Sequence, residues 1–156
     1  MAYWADRLDQ IVAGTASKPP CVETLGLPQL KGWLPGRVWT QWTVDPKLFH
    51  GGGAVFGGYL ASLADGILGL ATVSILEEGE AFTTSDLRIA FFRPVTGGSL
   101  HVEGQVVHRG RGMAHVEVVF TRDDGKVAGR ATATQVITQA PAGDRDKPIA
   151  KVKPNS

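Results

Sequence analysis

A single cysteine, a net charge of only +1 and the lack of any uninterrupted apolar run set the first limits on this 156-residue chain. Cys21 has no second cysteine to pair with, which excludes an intramolecular disulfide and suits a reducing, cytoplasmic compartment. It also excludes a thiolate metal cluster, and His50, His101, His108 and His115 fall at no ligand spacing, so neither metal nor cofactor is expected. Sixteen Lys and Arg against 15 Asp and Glu leave no global field that would attract nucleic acid. The first residues carry Asp6, Arg7 and Asp9 where an export signal would need apolar residues. The longest apolar stretch, 57–76, contains Asp65, four glycines and two serines and lacks flanking cations, so no membrane span is expected.

What is present is an ordinary globular composition, 43% apolar and 20% charged, in a length that suits one domain. Trp4, Leu8, Ile11 and Val12 share one side at helical spacing, which predicts a short amphipathic helix over residues 3–12. The segment 15–21 reads as a linker, because Pro19 and Pro20 break helix and sheet alike. Residues 36–44 alternate as a β-branched and aromatic strand. A glycine-rich passage, 50–58, leads into a long apolar helix to about residue 76. Four strands then follow, over 83–93, 99–108, 113–122 and 126–138, with explicit turns between them, Asp123-Asp124-Gly125 among them. This order predicts an α+β fold in which a curved antiparallel sheet wraps one central helix. The expected organisation is an N-terminal helix and linker (1–18), a folded domain (19–139) and a disordered tail (140–156).

The stretch HGGGAVFGGYLASLADG, residues 50–66, carries the chemistry. Asp65 lies in the middle of the apolar helix with no Lys or Arg at helical spacing. Burial of an unpartnered carboxylate is costly and raises its pKa, so its partners must come from elsewhere in the fold or from another subunit. Such an acid is either catalytic or a hydrogen-bonding group at a subunit contact. Gly57 and Gly58 fall where loop becomes helix, where unpaired N–H groups sit at the positive end of the helix dipole. They can bind a carbonyl oxygen as an oxyanion hole, or simply permit a tight turn.

This stretch resembles the active-site segment of hotdog-fold acyl-CoA thioesterases of the phenylacetate-pathway and 4-hydroxybenzoyl-CoA type. Supporting segments are TLGL at 24–27, TSDLRIAFFRPV at 84–95 and VVHRGRGMAHVEV at 106–118, so the resemblance spans roughly residues 20–138 in the family's order. It implies that the Gly57 N–H polarises the thioester carbonyl. It also implies that Asp65, eight residues on, acts as nucleophile or general base from the opposite subunit of a dimer or dimer of dimers. Two positions depart from the family pattern: Phe56 stands where His is usual, and His50 where Asn or Gln is usual. His50 is a candidate to donate to the thioester or to position water.

The implied reaction is hydrolysis of acyl-CoA to free acid and CoA, with the acyl group in an intersubunit tunnel lined by the helix and residues 83–92. Phe56, Gly58, Thr84 and Ser85 are candidate substrate contacts. Arg109 and Arg111, in a tight Gly-containing turn, are candidates for the CoA phosphates. The alternative is a hotdog protein that binds acyl-CoA without hydrolysing it, a distinction that fold cannot make.

Overall fold

A computed structural model describes residues 4–140. The elements in chain order are α1 (Ala5–Ala13), α2 (Pro20–Leu25), β1 (Gly32–Leu34), β2 (Arg37–Thr43), a 3-10 turn (Pro46–Leu48), α3 (Gly57–Val73), β3 (Glu80–Phe91), β4 (Ser99–Arg109), β5 (Met113–Arg122) and β6 (Val127–Gln139). All strands join one antiparallel sheet in the order β1-β2-β4-β5-β6-β3, and α3 packs on β2 through β6. The wrap of sheet around one helix is as expected.

Period-two alternation builds the sheet's inner face. Leu100 and Val102 of β4, Ala114, Val116, Val118 and Phe120 of β5, and Ala131, Ala133 and Ile137 of β6 are buried. Leu60, Leu63, Ala64, Ile67, Leu68 and Ala71 of α3 meet them. Each large side chain removed from water there contributes roughly 1.5–3 kcal/mol.

Three departures from the sequence reading have local causes. Pro20 opens α2 instead of breaking it, because a proline in the first turn lacks only an N–H that would be unpaired anyway. β1, three residues long, is held by its register on β2, with Trp33 opposite Val38. In β3 the pairing with β6 shifts between Thr84 and Asp86. That bulge inverts the parity of the strand. Without it Asp86 and Arg88 would share the inner face with Thr84; with it, Leu87, Ile89 and Phe91 lie opposite Ala133, Ala131 and Gly129.

The N-terminal helix packs on the same core. Leu8 is fully buried, with Trp4, Ile11 and Val12 against the cluster. Among the described residues no helix is long and apolar enough to cross a membrane. The tail expected over 140–156 lies outside the described residues except for Ala140, whose N–H donates to Gly79 O at 2.7 Å.

Candidate active site

The start of α3 is uncapped. Phe56 occupies the N-cap position with no side-chain hydrogen bond, where Ser, Thr, Asp or Asn would normally satisfy a first-turn donor. The Tyr59 and Leu60 N–H groups donate to Phe56 O at 3.0 and 3.4 Å. Those of Gly57 and Gly58 have no acceptor among the described residues. Two aromatic rings close over this turn: a Cβ on Gly57 would lie 2.9 Å from Phe91 Cζ, and one on Gly58 2.3 Å from Phe56 Cε1. Glycine lets both exposed rings lie against the turn. The turn is anchored from inside by Tyr59, whose hydroxyl donates to Gly26 O at 3.2 Å. Burial, with the Asp45 carboxylate adding to it, pushes that phenol's pKa up and keeps it a neutral donor.

Asp65 is exposed in this chain, which corrects the expectation that the apolar helix would bury it. The sheet covers the side of α3 bearing Leu60, Leu63, Ala64, Ile67 and Leu68, and Asp65 projects between that side and β3. Its partner is Thr84, whose hydroxyl lies 3.3 Å from Asp65 Oδ1. Eight residues of helix separate Gly57 from Asp65, about 12 Å at 1.5 Å per residue. That is too far for one donor and one carboxylate of the same chain to act on a single carbonyl.

Beside Asp65 opens an apolar cavity of about 810 Å³. Its walls are α3 (Leu63, Ile67, Leu70), the beginning of β3 through Phe82 and Thr84, and the N-terminal segment from α1 to Leu30. Gly66 and Gly69 present bare backbone to it, with only Leu27 Cδ1, at 3.6 Å, within reach of a Cβ on Gly66. Residues 85–92 do not line this cavity; residues 4–30 take that place.

The other candidates lie as follows. His50 sits on the exposed loop before α3, where its Nδ1 accepts from the Gly52 N–H at 2.9 Å, leaving Nε2 as the protonated nitrogen. Ser85 sits on the β3 bulge and its hydroxyl donates to Thr134 O at 3.3 Å. Arg109 is held by Glu80 Oε1 at 2.6 Å and by the Gly110 carbonyl, while Arg111 is exposed and has no side-chain partner among the described residues. Phe56, 59% exposed, lies over the open helix terminus with Phe91, 53% exposed, and Phe92 is 54% exposed. No group of three His, Cys, Asp or Glu converges as a metal site among the described residues.

Two contributors escape a reading of the sequence. One is the N-terminal segment as a cavity wall, because nothing local says which surface α1 covers. The other is Gln135, which approaches Thr84 from β6 at 2.9 Å. A signal for it exists: a glutamine at an inward position where Ala131, Ala133 and Ile137 keep an apolar rhythm.

A sequence profile of the Thioesterase superfamily matches residues 52–128, the stretch that holds the glycine turn, Asp65 and Thr84. A Saccharolobus solfataricus protein provisionally named an esterase is 31% identical over 102 residues, 65% of this chain and 72% of that protein. The chain belongs to the thioesterase superfamily. Among solved structures, this superfamily member is similar to a phenylacetic acid degradation-related protein of Ralstonia eutropha, provisionally named a thioesterase. The identity is 26% and the TM-score 0.72, covering 83% of this chain and 98% of that one. It is also similar to a hypothetical thioesterase protein of Streptococcus pneumoniae solved with coenzyme A, at 26% identity and TM-score 0.66 over 72% of this chain and 86% of that one. The superfamily and the six-stranded wrap around α3 together make this a hotdog fold, and membership places the chain among hydrolases.

Proposed function

We propose that this superfamily member hydrolyses an acyl-CoA thioester to free acid and CoA, as a homodimer or dimer of dimers that completes the site between subunits. The observation that carries the reading is a carboxylate, Asp65, presented at the edge of an apolar cavity from an otherwise apolar helix whose N-terminal N–H groups are free. Gly57 N–H of one subunit binds the thioester oxygen as charge develops on it, aided by the helix dipole. Asp65 of another subunit attacks the carbonyl carbon or takes a proton from attacking water. The span of about 12 Å between the two groups within one chain supports this division.

Assembly is supported by two further features. β3 is a long edge strand with its outer hydrogen-bonding side unpaired, and Phe56 and Phe91 expose apolar rings beside the helix terminus. The cavity between α3 and residues 4–30 takes the acyl group. Arg111 reaches a CoA phosphate, with Arg109 bracing the turn through Glu80. His50 Nε2 donates to the thioester or holds the attacking water. The coenzyme A bound to the Streptococcus pneumoniae relative supports the CoA half of the substrate.

The test is thiol release from a panel of aromatic and aliphatic acyl-CoAs, with wild type beside Asp65→Ala. Turnover by wild type that disappears in the variant is expected. Binding of CoA esters without turnover by either protein would favour the non-catalytic alternative, for which the absence of a polar side chain at Phe56 is the structural argument.

A further inference from the structure

Gln135 is fully buried on β6, directly opposite Thr84 in the β3–β6 register. Its Oε1 lies 2.9 Å from Thr84 Oγ1, and that same oxygen lies 3.3 Å from Asp65 Oδ1. The Gln135 Nε2 is buried with no hydrogen-bond partner. Two facts about this arrangement conflict. Thr84 has one hydroxyl proton and cannot donate to the amide oxygen and the carboxylate together. A buried NH2 with no acceptor lowers stability, and an apolar residue would avoid that loss.

Turning the amide by half a rotation removes both conflicts. The amide keeps its shape, and its NH2 then donates to a Thr84 lone pair while the only hydroxyl proton points at Asp65. The group left behind is a carbonyl oxygen, the kind of buried polar atom that goes under-satisfied at least cost. We infer that Gln135 is a positioning residue for Asp65: its buried amide donates to Thr84 Oγ1, which fixes the Thr84 hydroxyl as a donor to the Asp65 carboxylate at the cavity edge. The inference rests on the proposed thioester hydrolysis and adds to it the group that orients the carboxylate. Its neighbours on the inner face of β6 are Ala and Ile, so packing alone does not call for an amide at this point.

The test uses the full chain and compares Gln135→Met, Gln135→Leu, Thr84→Val, Thr84→Ser and the Gln135→Met/Thr84→Val double variant. Gln135→Met should lower kcat about tenfold, the worth of a hydrogen bond that orders a charged group. KM should stay within about twofold, since substrate binding is not touched. Tm should hold or rise, because the buried and unpaired amide carbonyl is removed along with the hydrogen bond to Thr84. Thr84→Ser, which retains the hydroxyl, should lose less kcat than Thr84→Val, and the double variant should be no slower than Thr84→Val, because Gln135 acts only through Thr84. A Tm that falls with activity in both Gln135 variants, multiplied losses in the double variant, or wild-type kcat in Gln135→Met would each overturn the inference.

Loss of turnover in Asp65→Ala beside full activity in Gln135→Met would remove the inference and leave the thioesterase reading standing. The link is also readable without turnover. In 15N-labelled protein Asp65→Asn should shift the Gln135 side-chain amide resonances, and the shift should vanish in a Thr84→Val background. An unmoved Gln135 amide overturns the inference whatever the substrate.

Discussion

The two faces of α3 are built from different residues. One carries Leu60, Leu63, Ala64, Ile67, Leu68 and Ala71 into the sheet, all at 6% exposure or less. The other carries Asp65, Gly66, Gly69 and Leu70 along a cavity, with Leu63 and Ile67 at the border contributing to both. Two glycines inside a helix cost about 0.5–1 kcal/mol each relative to alanine, and a carboxylate adds nothing to a helix surrounded by apolar side chains. The first face holds the fold together. The second lowers stability, which fits the acyl-binding role proposed for it.

The sharpest way to break this comparison is to substitute once on each face. Asp65→Ala should lower thioester turnover by about 10²–10⁴-fold, the range for a positioned general base, with its urea midpoint nearly unchanged. Leu68→Ala should lose about 2–5 kcal/mol of stability, while the protein that stays folded keeps its kcat. An Asp65→Ala protein that is inactive because it unfolds would dissolve the distinction.

Next in size is the helix terminus. Gly57→Pro removes the proposed oxyanion donor: proline suits the first helical position, Phe56 at ψ 127° already has the conformation that a residue before proline prefers, and the added Cβ asks only the exposed tip of the Phe91 ring, 2.9 Å away, to swing aside. Turnover should fall about 10²–10³-fold, the cost of losing one such donor. Co-expressed with Asp65→Ala, it should recover measurable activity in mixed oligomers, since each mixed pair retains one intact site. No recovery in purified mixed oligomers would argue that both groups act within one chain.

A gentler change sharpens the open face. Gly66→Ala fits beside Leu27 and should stabilise the helix by about 0.5–1 kcal/mol in chemical denaturation. Gly66→Leu should fill the cavity and lower kcat/KM for the longest accepted acyl group by about tenfold or more relative to the shortest. An unchanged acyl profile would move the acyl site away from this cavity.

The smallest effect belongs to the sheet's outer face. The Arg37 guanidinium holds the Glu103 carboxyl below its ordinary pKa of 4.5, with His101 assisting. The folded-state value is the lower one, so the pair stabilises above about pH 4.5 and that contribution disappears as pH falls through the folded value. Glu103→Gln should therefore show a slightly shallower loss of Tm below pH 4.5 than wild type, and the same catalysis.

Much of the fold could be read because its signals are local. β4, β5 and β6 announce themselves by alternation, the turn at Asp123-Asp124-Gly125 by its residues, and α3 by a long apolar run opening on two glycines. Their ends fall within about one to three residues of the expected positions, an ordinary margin for boundaries. The candidate site stood out in the sequence to the extent that it is anomalous: a carboxylate among leucines and alanines, and glycines at an uncapped helix start. β1 carried no such signal, since three residues become a strand only when β2 lies beside them. Nor did the β3 bulge, which is set by which side chains suit the core. Asp65 was expected to be buried because the helix is apolar nearly all round, but one sheet cannot cover every side of a helix.

By itself the sequence determined periodicities, turns and the presence of an acid where no solvated residue would be expected, because these depend on neighbours a few positions apart. Only the tertiary structure decided that residues 4–30 close a cavity beside Asp65, that Arg109 is held by Glu80, and that Gln135 meets Thr84 across 51 residues of chain. Those contacts depend on strand register and on the curvature of the sheet around α3. They are set by the packing of the whole core at once, which no local window of residues contains.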